Sequence, residues 1–574
     1  MTSYAQLHET AQESLAASTR VIVQVGHCSQ AVGATQVAEA LQAELSGHSG
    51  VELIIAGCDG ACFAAPQVIV TTPSNNIQRY SQVSVGDVAE LTATLTSGNT
   101  PQQTEHPPFV KGGRGDLDLF FAAQTRLLLT RCGYIDPTSI NEYIALGGYR
   151  GLNAALSRSP EEVIQTVLDA GLLGRGGAYF PAARKWQAAR AANESPRYLV
   201  VNAEEGEPGL FKDRHIMEGD PHLLLEGMLI ASYATGVSET YIYINAEANL
   251  SAHRIEMAIG QAQDAGLIGD NILGSGFDCQ VTVRRGAGGY VCGEETTLLD
   301  TIQGNRREPR LRPPFPAESG LFQRPTVINN VETLSNVPMI LDSSVPSVPP
   351  ELRPVAASRD KVGPVEGQPE SEFPFLPPFL KGSREGFSFL GLDSAKGTKL
   401  ICLSGSVQRP GLAEVPMGST LRHVIYDIGG GPPPGTDLGV VAVGGPSSGV
   451  LPPTELDTEL RPGMLHPSGV VMGAGGIMVM AEGVPVIDVV RQLAAYNAAE
   501  SCGKCTPCRE GTPRMVQVLD RLASGSGSTT DLDELRYLAE IVGAASLCGL
   551  GQMSGGPINS ALHFFGEELG KLAE

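Results

Sequence analysis

Positive charge is scarce in this sequence. Its 574 residues include 40 Lys and Arg against 62 Asp and Glu, and the formal net charge is −22. A protein that coats nucleic acid needs a concentrated positive face, and this chain has no more than a short arginine run near residue 306. We therefore expect no nucleic-acid partner.

Long apolar segments are absent as well. The longest runs, such as residues 477–481, are far shorter than the ~20 residues of a membrane-spanning helix. Residues 1–20 are polar and lack the apolar core of a secretory signal. The chain has one Trp and 5% aromatic residues, but 69 Gly and 40 Pro. We expect a soluble, cytoplasmic, loop-rich protein of several domains, with no direct membrane insertion.

The 11 cysteines form two groups and four single positions. Without a secretory signal, disulfides are the least favoured interpretation, and metal sites or core positions remain. The groups are Cys28, Cys58 and Cys62, and Cys502, Cys505, Cys508 and Cys548. The single cysteines lie among apolar or glycine-rich residues and are interpreted as core side chains: Cys132, Cys279, Cys292 and Cys402.

The first hundred residues have the pattern of a small α/β unit. Apolar runs predict buried strands at 21–26, 51–57 and 67–72, and periodicity predicts helices at 34–45 and 85–95. We assign residues 1–20 to an N-terminal tail, 21–100 to this unit and 101–115 to a linker rich in Pro, Gly and charge.

The rest of the chain divides by pattern into four parts. Residues 116–341 alternate predicted helices and strands, as an α/β sheet domain does. Residues 342–396 contain nine Pro and little periodicity, which predicts a long surface insertion. Residues 397–485 are β-rich. Residues 486–574 are helical, with helices predicted at 486–499, 511–523, 532–544 and 558–572.

The strongest chemical signal is the C-terminal cysteine group. Cys502, Cys505 and Cys508 are separated by two residues each, and Cys548 follows much later. A tight run converges three sulfurs and a distant cysteine completes four, which suits a [4Fe–4S] cluster with one cysteine per iron. Structural zinc more often uses two separate Cys-x2-Cys pairs and fits less well. Redox-inert cysteines are the remaining alternative.

Glycine-rich and acidic segments follow predicted strands. The loop Gly171–Pro181 precedes Arg184 and Lys185 and could bring backbone N–H groups to a phosphate. Its spacing is not the dinucleotide fingerprint, and no P-loop is present. Residues 202–208 and 285–295 place acidic groups where strands end, the edge at which open α/β sheets bind ligands. Two solvated acidic loops are the alternative.

At these motifs the sequence resembles the NADH-oxidising FMN and iron–sulfur flavoprotein subunit of respiratory complex I and its relatives, the diaphorase subunits of NAD-reducing hydrogenases and NAD-dependent formate dehydrogenases. The matching strings are Gly174-Arg-Gly-Gly-Ala-Tyr-Phe-Pro, Asn202-Ala-Glu-Glu-Gly-Glu-Pro-Gly, Gly286-Ala-Gly-Gly-Tyr-Val-Cys-Gly-Glu-Glu-Thr, Pro313-Pro-Phe-Pro, Asn329-Asn-Val-Glu-Thr and Glu500-Ser-Cys-Gly-Lys-Cys-Thr-Pro-Cys-Arg-Glu-Gly.

The resemblance implies a site in which NADH stacks on FMN. The FMN contacts it implies are Gly174, Arg175, Gly176, Lys185, Asn202, Glu204, Tyr290, Gly293, Glu294, Asn329, Asn330 and Thr333. The NADH contacts it implies are Phe180, Glu207, Glu295, Arg312 and Phe315. Aromatic faces suit adenine, and an arginine can pair with the pyrophosphate. Glu204 stands where the family usually has Asp, and Arg312 where it usually has Lys.

The resemblance also implies an architecture and a chemistry. The β-rich part resembles a β-grasp domain, and the C-terminal helices a bundle that holds the [4Fe–4S] cluster. Hydride passes between NADH and the flavin, which releases single electrons to the cluster. Hydride transfer needs no side-chain acid or base, so no proton-transfer residue is assigned; Glu207 and Glu295 are positioning residues.

The N-terminal unit resembles the thioredoxin-like ferredoxin that is a separate small subunit in complex I. Cys28, Cys58 and Cys62 match three ligands of its [2Fe–2S] cluster, but Gly33 replaces the fourth. The fourth ligand would have to come from elsewhere, with Ser29 or a partner as candidates. A [2Fe–2S] cluster and a docking domain with residual thiols both remain open.

The fused N-terminal unit favours the diaphorase subunit of a cytoplasmic NAD-reducing [NiFe] hydrogenase. Formate dehydrogenase is the next alternative and complex I the third. The expected partners are NAD(H), a small thioredoxin-like [2Fe–2S] subunit, and iron–sulfur and hydrogenase subunits. From another class, a non-catalytic scaffold would predict damaged cofactor strings, and a plain ferredoxin would not need the large α/β domain.

Overall fold

A computed structural model describes residues 3–15, 18–48, 50–72, 77–96, 114–286, 288–342 and 390–574. Most of the linker predicted at 101–115 and of the insertion predicted at 342–396 lies outside these ranges. Among the described residues, no helix combines the length and apolar character needed to cross a membrane.

The N-terminal part of the chain contains a four-stranded sheet, and two of its helices pack against that sheet. Its elements are α1 (Tyr4–Ser14), β1 (Thr19–Gln24), α2 (His27–Gln30), α3 (Ala34–Leu45), β2 (Val51–Ala56), β3 (Val68–Thr71), β4 (Ile77–Tyr80) and α4 (Val88–Thr96). The strand order is β2-β1-β3-β4, with β1 and β2 parallel and the other pairs antiparallel. The three predicted strands and two predicted helices are confirmed.

The segment assigned to an N-terminal tail contains a helix, which the sequence pattern did not predict. Ser3 caps α1, where a capping box satisfies the first backbone N–H groups. The Tyr4 hydroxyl donates to the Gly148 carbonyl oxygen at 3.1 Å, and Ala11 is fully buried. Strand β4 was also missed, since its polar residues hide the alternating pattern.

The second unit is a parallel sheet surrounded by helices. Helix α5 (Arg114–Ala122) precedes this unit, and its Leu117 and Phe120 pack in the core of the β-rich part. The helices of the unit are α6 (Ile140–Ala145), α7 (Arg150–Leu156), α8 (Pro160–Asp169), α9 (Ala182–Ala191), α10 (Lys212–Gly219), α11 (Pro221–Thr235), α12 (Asn249–Asp264), α13 (Glu295–Ile302), α14 (Pro316–Ser319), α15 (Val331–Ser335) and α16 (Val337–Leu341). Its strands are β5 (Tyr198–Ala203), β6 (Glu239–Ile244), β7 (Gln280–Arg285) and β8 (Thr326–Asn330), in the order β7-β6-β5-β8.

Parallel pairing brings the carboxyl ends of β5, β7 and β8 to one edge of this sheet. The acidic segment follows β5, the glycine-rich segment follows β7, and Asn330 ends β8. Helix α11 is apolar on every side and is buried along nearly its whole length, as expected for a helix that crosses the core. The sheet thus gathers the motifs at the edge where a ligand is expected.

The β-rich part forms a second sheet. Its strands are β9 (Gly391–Leu392), β10 (Ala395–Lys396), β11 (Thr398–Gly405), β12 (Gly411–Pro416), β13 (Leu438–Val443), β14 (Gly449–Leu451) and β15 (Gly476–Ala481). Five of them form one sheet in the order β12-β11-β15-β13-β14, with β11 and β15 parallel at the centre. Leu400, Cys402 and Leu412 join the core of the parallel-sheet unit, so the two units share apolar packing.

The C-terminal part is helical, as predicted. Its helices are α17 (Val486–Ala499), α18 (Thr506–Ala523), α19 (Thr529–Ala545), α20 (Gly549–Met553), α21 (Gly556–Phe564) and α22 (Gly566–Lys571). The helix predicted at 558–572 is two helices, because Phe565 leaves the helical region with φ −123°. Their apolar faces pack on Val440, Ala442 and Val450 of the second sheet.

Candidate functional site

The two ends of the glycine-rich loop after α8 are paired with each other. Leu173 pairs with Pro181, and the Gly174 N–H donates to the Phe180 carbonyl oxygen at 2.9 Å. The Arg175 N–H donates to the Thr333 hydroxyl at 2.8 Å, which fixes the loop to α15. The tip of the loop, from Gly176 to Ala178, lines a cavity. The loop therefore presents small residues and backbone to a ligand-sized space.

That cavity has a volume of about 350 Å³, in the range of small-molecule sites. The residues predicted as FMN contacts that line it are Gly176, Asn202, Glu204, Tyr290, Gly293, Glu294 and Asn330. Glu207, predicted for NADH, also lines it, and so does Cys548 of the C-terminal cysteine group. The structure thus places residues predicted to contact FMN, NADH and the iron–sulfur cluster around one cavity.

Other predicted FMN contacts lie behind the cavity wall. Arg175 is fully buried, and two of its guanidinium nitrogens, Nε and Nη1, have no hydrogen-bond partner among the described residues. Asn329 is buried and accepts a hydrogen bond from Trp186 Nε1 at 2.8 Å. Thr333 holds the Arg175 backbone. Their positions support the loop and the strand end rather than the cavity surface.

Apart from Glu207, the residues predicted for NADH are more exposed. Phe180 and Phe315 are 50% and 52% exposed. Glu295 accepts hydrogen bonds from Lys185 Nζ at 3.1 Å and from Arg312 Nη1 at 2.8 Å. Burial alone would raise the pKa of Glu295, but the charges of Lys185 and Arg312 outweigh it and hold that pKa below its usual value. Lys185, predicted for FMN, is therefore paired with the predicted NADH residues.

The acidic segment after β5 is not a solvated loop. Glu205 is buried and accepts hydrogen bonds from the backbone N–H groups of Asp213 and Arg214 at the start of α10. One buried carboxylate oxygen each of Glu204 and Glu207 has no hydrogen-bond partner among the described residues. A buried polar atom without a partner is costly, so both oxygens fit a ligand that donates hydrogen bonds.

Burial raises the pKa of Glu204 to about 7 and that of Glu207 to about 8. The Glu294 carboxylate caps α13, where it accepts hydrogen bonds from the backbone N–H groups of Thr296 and Thr297. Gly445 makes room for Glu207: a Cβ there would lie 2.0 Å from Oε1 of that carboxylate. The second sheet unit therefore forms part of the wall around Glu207.

The raised pKa of Glu207 predicts a pH effect on the ligand-free protein. Between its usual value of 4.5 and about 8, the folded state binds a proton that the unfolded state has lost. Stability should therefore fall as pH rises through this window. We expect Glu207→Gln to be more stable than the parent at pH 8 and to show a weaker pH dependence of the thermal midpoint.

A residual effect and a control variant make that measurement more specific. Glu204 retains its own shift, so some slope should remain in the Glu207→Gln protein. Glu256→Gln, an exposed position on α12, should reproduce the parent curve. A Glu207→Gln midpoint that tracks the parent at every pH would contradict a buried protonated carboxyl.

A buried charge network beside the cavity was missed. Lys212 Nζ lies 2.8 Å from Asp213 Oδ1 and 3.2 Å from Glu332 Oε2. Lys399 Nζ on β11 lies 2.6 Å from the same Glu332 oxygen, and Asp213 accepts from Asn330. Glu332 stands inside the string Asn329-Asn-Val-Glu-Thr, which was the one available signal. Its partners come from distant segments and have no sequence pattern.

The C-terminal cysteines converge where α17, α18 and α20 meet the parallel-sheet unit. Cys505 precedes α18, Cys508 lies in its first turn, and Cys548 precedes α20. Cys508 and Cys548 pack with Val291 and Leu550, and burial raises the pKa of Cys548 to about 11. The four thiols therefore meet beside the segment that follows β7.

The spacing of these sulfurs fits a cluster rather than one ion. Among the described residues, no three of these four cysteines have their sulfurs all within 4.8 Å of one another. A single ion would need at least three ligand atoms that close, whereas in a [4Fe–4S] cube each cysteine binds a different iron. Two contacts tie the helices to the cavity: Tyr290 N–H donates to Glu500 at 2.7 Å, and the Tyr496 hydroxyl to the Gly206 carbonyl oxygen at 2.7 Å.

The N-terminal cysteines also converge, with an unexpected neighbour. Cys58, Cys62 and His215 of α10 place their ligand atoms within 4.8 Å of one another. Cys28 lies in hydrogen-bonding reach of the Cys62 thiol. The Ser29 hydroxyl, a predicted fourth ligand, is engaged with the backbone of Gln24 and Gly26. Ser29 as the fourth ligand stays a prediction.

Three family models match segments of the chain. A Nuo51 FMN-binding domain matches residues 167–339 and an SLBB domain matches residues 400–451. The NADH-ubiquinone oxidoreductase-F iron-sulfur binding region matches residues 488–572, which include all four C-terminal cysteines.

Curated proteins are similar over most of the chain. The NADP-reducing hydrogenase subunit HndC of Solidesulfovibrio fructosivorans is 42% identical over 445 residues, 78% of this chain and 83% of that protein. The NADH-quinone oxidoreductase F 2 subunit of Rhizobium meliloti (strain 1021) is 40% identical over 443 residues, 77% of this chain and 96% of that protein.

A solved structure of an NAD+-reducing [NiFe]-hydrogenase in the H2-reduced state is also similar. One of its chains aligns with a TM-score of 0.65 and 25% identity, over 99% of this chain and 87% of that chain. The alignment extends over the N-terminal unit as well as the matched domains. On these matches, the chain belongs to the family of NADH-oxidising FMN and iron–sulfur flavoprotein subunits that includes HndC and the F subunits of NADH-quinone oxidoreductases.

Proposed function

We propose that the chain is the diaphorase subunit of a cytoplasmic NAD-reducing hydrogenase. It exchanges hydride between NAD(H) and FMN and passes single electrons through a [4Fe–4S] cluster to partner subunits. The observation that carries this proposal is the cavity, which is lined by the predicted flavin residues Tyr290 and Glu294 and also by Cys548. A short path between two redox groups is what such electron transfer requires.

The chain's own residues bind and orient the reactants. The loop tip at Gly176 and the strand-end amides Asn202 and Asn330 contact FMN. Lys212, whose ammonium is buried beside Asn330, adds positive charge near the cavity. Glu207 accepts hydrogen bonds from NADH with its unpartnered oxygen. FMN, when bound, supplies the ability to accept a hydride and release electrons singly.

The remaining predicted contacts are proposed to act at the edges of the site. The half-exposed rings of Phe180 and Phe315 stack on adenine. Arg312 leaves its ion pair with Glu295 and pairs with the pyrophosphate instead. Arg175, Asn329 and Thr333 hold the loop and strand end in place. Cys502, Cys505, Cys508 and Cys548 bind the cluster.

We also propose the domain assignment that the sequence predicts. Residues 21–100 form a thioredoxin-like domain, 116–341 the FMN- and NADH-binding domain, 397–485 a β-grasp domain and 486–574 the cluster-binding helices. The SLBB match within 400–451 and the parallel sheet of β5–β8 support two of these assignments.

The partner enzyme is the finer part of the proposal. Similarity to HndC and to a chain of the NAD+-reducing hydrogenase favours a hydrogenase. A formate dehydrogenase flavin subunit or complex I is the second candidate, the latter because several relatives are named as F subunits of NADH-quinone oxidoreductases. The fused N-terminal unit favours the first candidate, since complex I usually carries that unit on its own chain.

Anaerobic purification with flavin, iron and sulfide measured per chain tests the cofactor set. NADH is then titrated under visible and electron paramagnetic resonance spectroscopy. About one FMN and about four irons are expected for this set, with loss of flavin absorbance as NADH is added. Well-folded protein with neither flavin nor an NADH response would overturn the enzyme and leave a docking scaffold.

A substitution at Phe180 tests the NADH side separately. Stacking of a base on an aromatic ring is worth about 1–3 kcal/mol, so Phe180→Ala should raise the KM for NADH by about tenfold or more. Flavin content should not change, because the ring lies outside the cavity lining. Steady-state NADH oxidation with an artificial acceptor gives both values.

The matched control is Phe322→Ala. Phe322 is 49% exposed, nearly the same as Phe180, but its ring packs edge-on against Tyr198 at the start of β5. Its KM should equal that of the parent. If both variants bind NADH as the parent does, the adenine contact assigned to Phe180 is wrong.

A further inference from the structure

A cluster of thiols and one imidazole lies between the N-terminal unit and the parallel-sheet unit. Cys58 is buried, and its sulfur lies within 4.8 Å of the Cys62 sulfur and of a ring nitrogen of His215. Cys28 lies in hydrogen-bonding reach of Cys62. Three ligands come from the N-terminal unit, and the fourth comes from helix α10.

His215 is prepared as a ligand. It is 4% exposed, and its Nδ1 lies 2.7 Å from the Phe211 carbonyl oxygen, which only an N–H can satisfy. Nδ1 therefore carries a proton, and Nε2 has no hydrogen-bond partner among the described residues. Metal-binding histidines characteristically use one nitrogen for the metal and the other for such a carbonyl.

His222, on the next helix, shows what a structural histidine looks like in this chain. It is also buried, but both ring nitrogens have partners: Nδ1 lies 2.9 Å from the Tyr149 hydroxyl and Nε2 lies 3.0 Å from Gln261 Oε1. The unpartnered nitrogen of His215 is thus not a general result of burial. It is specific to the imidazole that faces thiols.

The segment that carries Cys28 is held against α10, because the His27 N–H donates to the Glu218 carboxylate at 2.8 Å. Close packing fixes the group: a Cβ on Gly57 would lie 2.4 Å from the Gly219 Cα, so the loop that carries Cys58 and the end of α10 touch through backbone.

We propose that Cys28, Cys58, Cys62 and His215 bind a single zinc ion that joins the two units. Three thiolates and one imidazole are a common ligand set for structural zinc, with tetrahedral ligand atoms about 3.8 Å apart. The ligand atoms of Cys58, Cys62 and His215 already lie within 4.8 Å of one another, and Cys28 would join them from its contact with Cys62. The ligands span two units, so the ion acts as a clamp between them.

The [2Fe–2S] cluster implied by the resemblance fits this site poorly. Two irons require two ligand pairs separated by the cluster, and Gly33 stands where the second cysteine of the first pair would be. In this chain three ligand atoms instead crowd within 4.8 Å. The cysteines of the C-terminal cluster, which do bind several irons in the family, are not crowded in this way.

The test is metal analysis of the full chain purified with its flavin and C-terminal cluster. We expect about one zinc per chain in addition to the cluster iron. His215→Ala and Cys62→Ala should each retain less than about a tenth of it, since loss of a ligand costs at least as much as loss of a supporting contact. Iron, sulfide and flavin should stay at parent levels.

Matched controls separate ligand loss from general damage. Cys279→Ser removes a buried thiol that has a Thr240 hydroxyl beside it, and His222→Gln removes a buried imidazole. Both should keep the zinc. Cobalt exchanged into the parent should give the absorption of a tetrahedral thiolate site, and His215→Ala should abolish it, which provides a readout independent of stability.

Three results would overturn the proposal. About two extra irons and two sulfides in place of zinc would mean a [2Fe–2S] cluster. Zinc that survives in both His215→Ala and Cys62→Ala would place it elsewhere. Folded, flavin-loaded parent protein that neither contains zinc nor takes up cobalt would leave the group as free thiols. In the last two cases, the NADH response of the flavin remains and the proposed function stands.

Discussion

Cys548→Ala should separate flavin reduction from onward electron transfer. The variant should still lose its flavin absorbance when NADH is added, because the predicted NADH contacts are on other segments. Reduction of an acceptor that takes electrons from the cluster should fall by at least about 100-fold, as expected when a cluster ligand is removed. Stopped-flow flavin absorbance and the cluster's electron paramagnetic resonance signal measure the two steps on one sample.

Position makes Cys548 the most informative of the four cysteines. It lines the cavity as well as belonging to the cluster group. Cys279→Ser is the control, because that thiol is buried in the parallel-sheet unit away from the cavity lining. If Cys548→Ala keeps full iron and parent acceptor rates, the cluster assignment fails, whereas loss of flavin reduction in a folded variant would place Cys548 in flavin binding.

Glu332→Ala should be the most destabilising single substitution in the charge network. It would leave Lys212 and Lys399 buried and without their shared carboxylate, and breaking a buried ion pair costs about 3–5 kcal/mol. Burial already lowers the pKa of Lys399 to about 8 even with Glu332 present. We expect a large fall in the thermal midpoint, measured by calorimetry or by tryptophan fluorescence of Trp186.

The network joins the parallel-sheet unit to the second sheet, so loss of Glu332 should weaken the contact between them. Glu332 Oε1 accepts from the Leu400 N–H at 2.9 Å, and Lys399 lies on the same strand, β11. Early proteolysis between the parallel-sheet unit and the second sheet should therefore accompany the lower midpoint. Glu332→Gln keeps the shape and should be less damaging. Glu256→Ala, on the exposed face of α12, should match the parent, and an equal fall in both alanine variants would refute the argument.

The secondary structure followed from pattern wherever a segment had a clear apolar period. Helices α3 and α17 and strands β2 and β3 lie where the apolar pattern placed them, because each buries one face or both. Helix α1 was missed because its polar sequence forms a helix only through the Ser3 cap and packing beside Gly148. Strand β4 similarly depends on its partner β3.

The candidate site likewise has parts that local sequence pattern predicted and parts that it did not. Contiguous strings identified the glycine-rich loop, the acidic segment and the cysteine run, because backbone approach and thiolate spacing are local properties. The sequence alone also determined the class of protein, since those strings occur together in one family. It could not separate residues that line the cavity, such as Tyr290, from residues that support it, such as Arg175.

Only the tertiary structure decided which distant groups meet. Lys212, Glu332 and Lys399 share one buried network, and His215 meets Cys58 and Cys62, although they lie far apart in the chain. No local period marks such residues, because the free energy of a buried charge or thiol depends on its neighbours in space. The sequence determines how residues are spaced along a helix or strand. The desolvation and pairing of buried charges are determined only when separate units pack against one another.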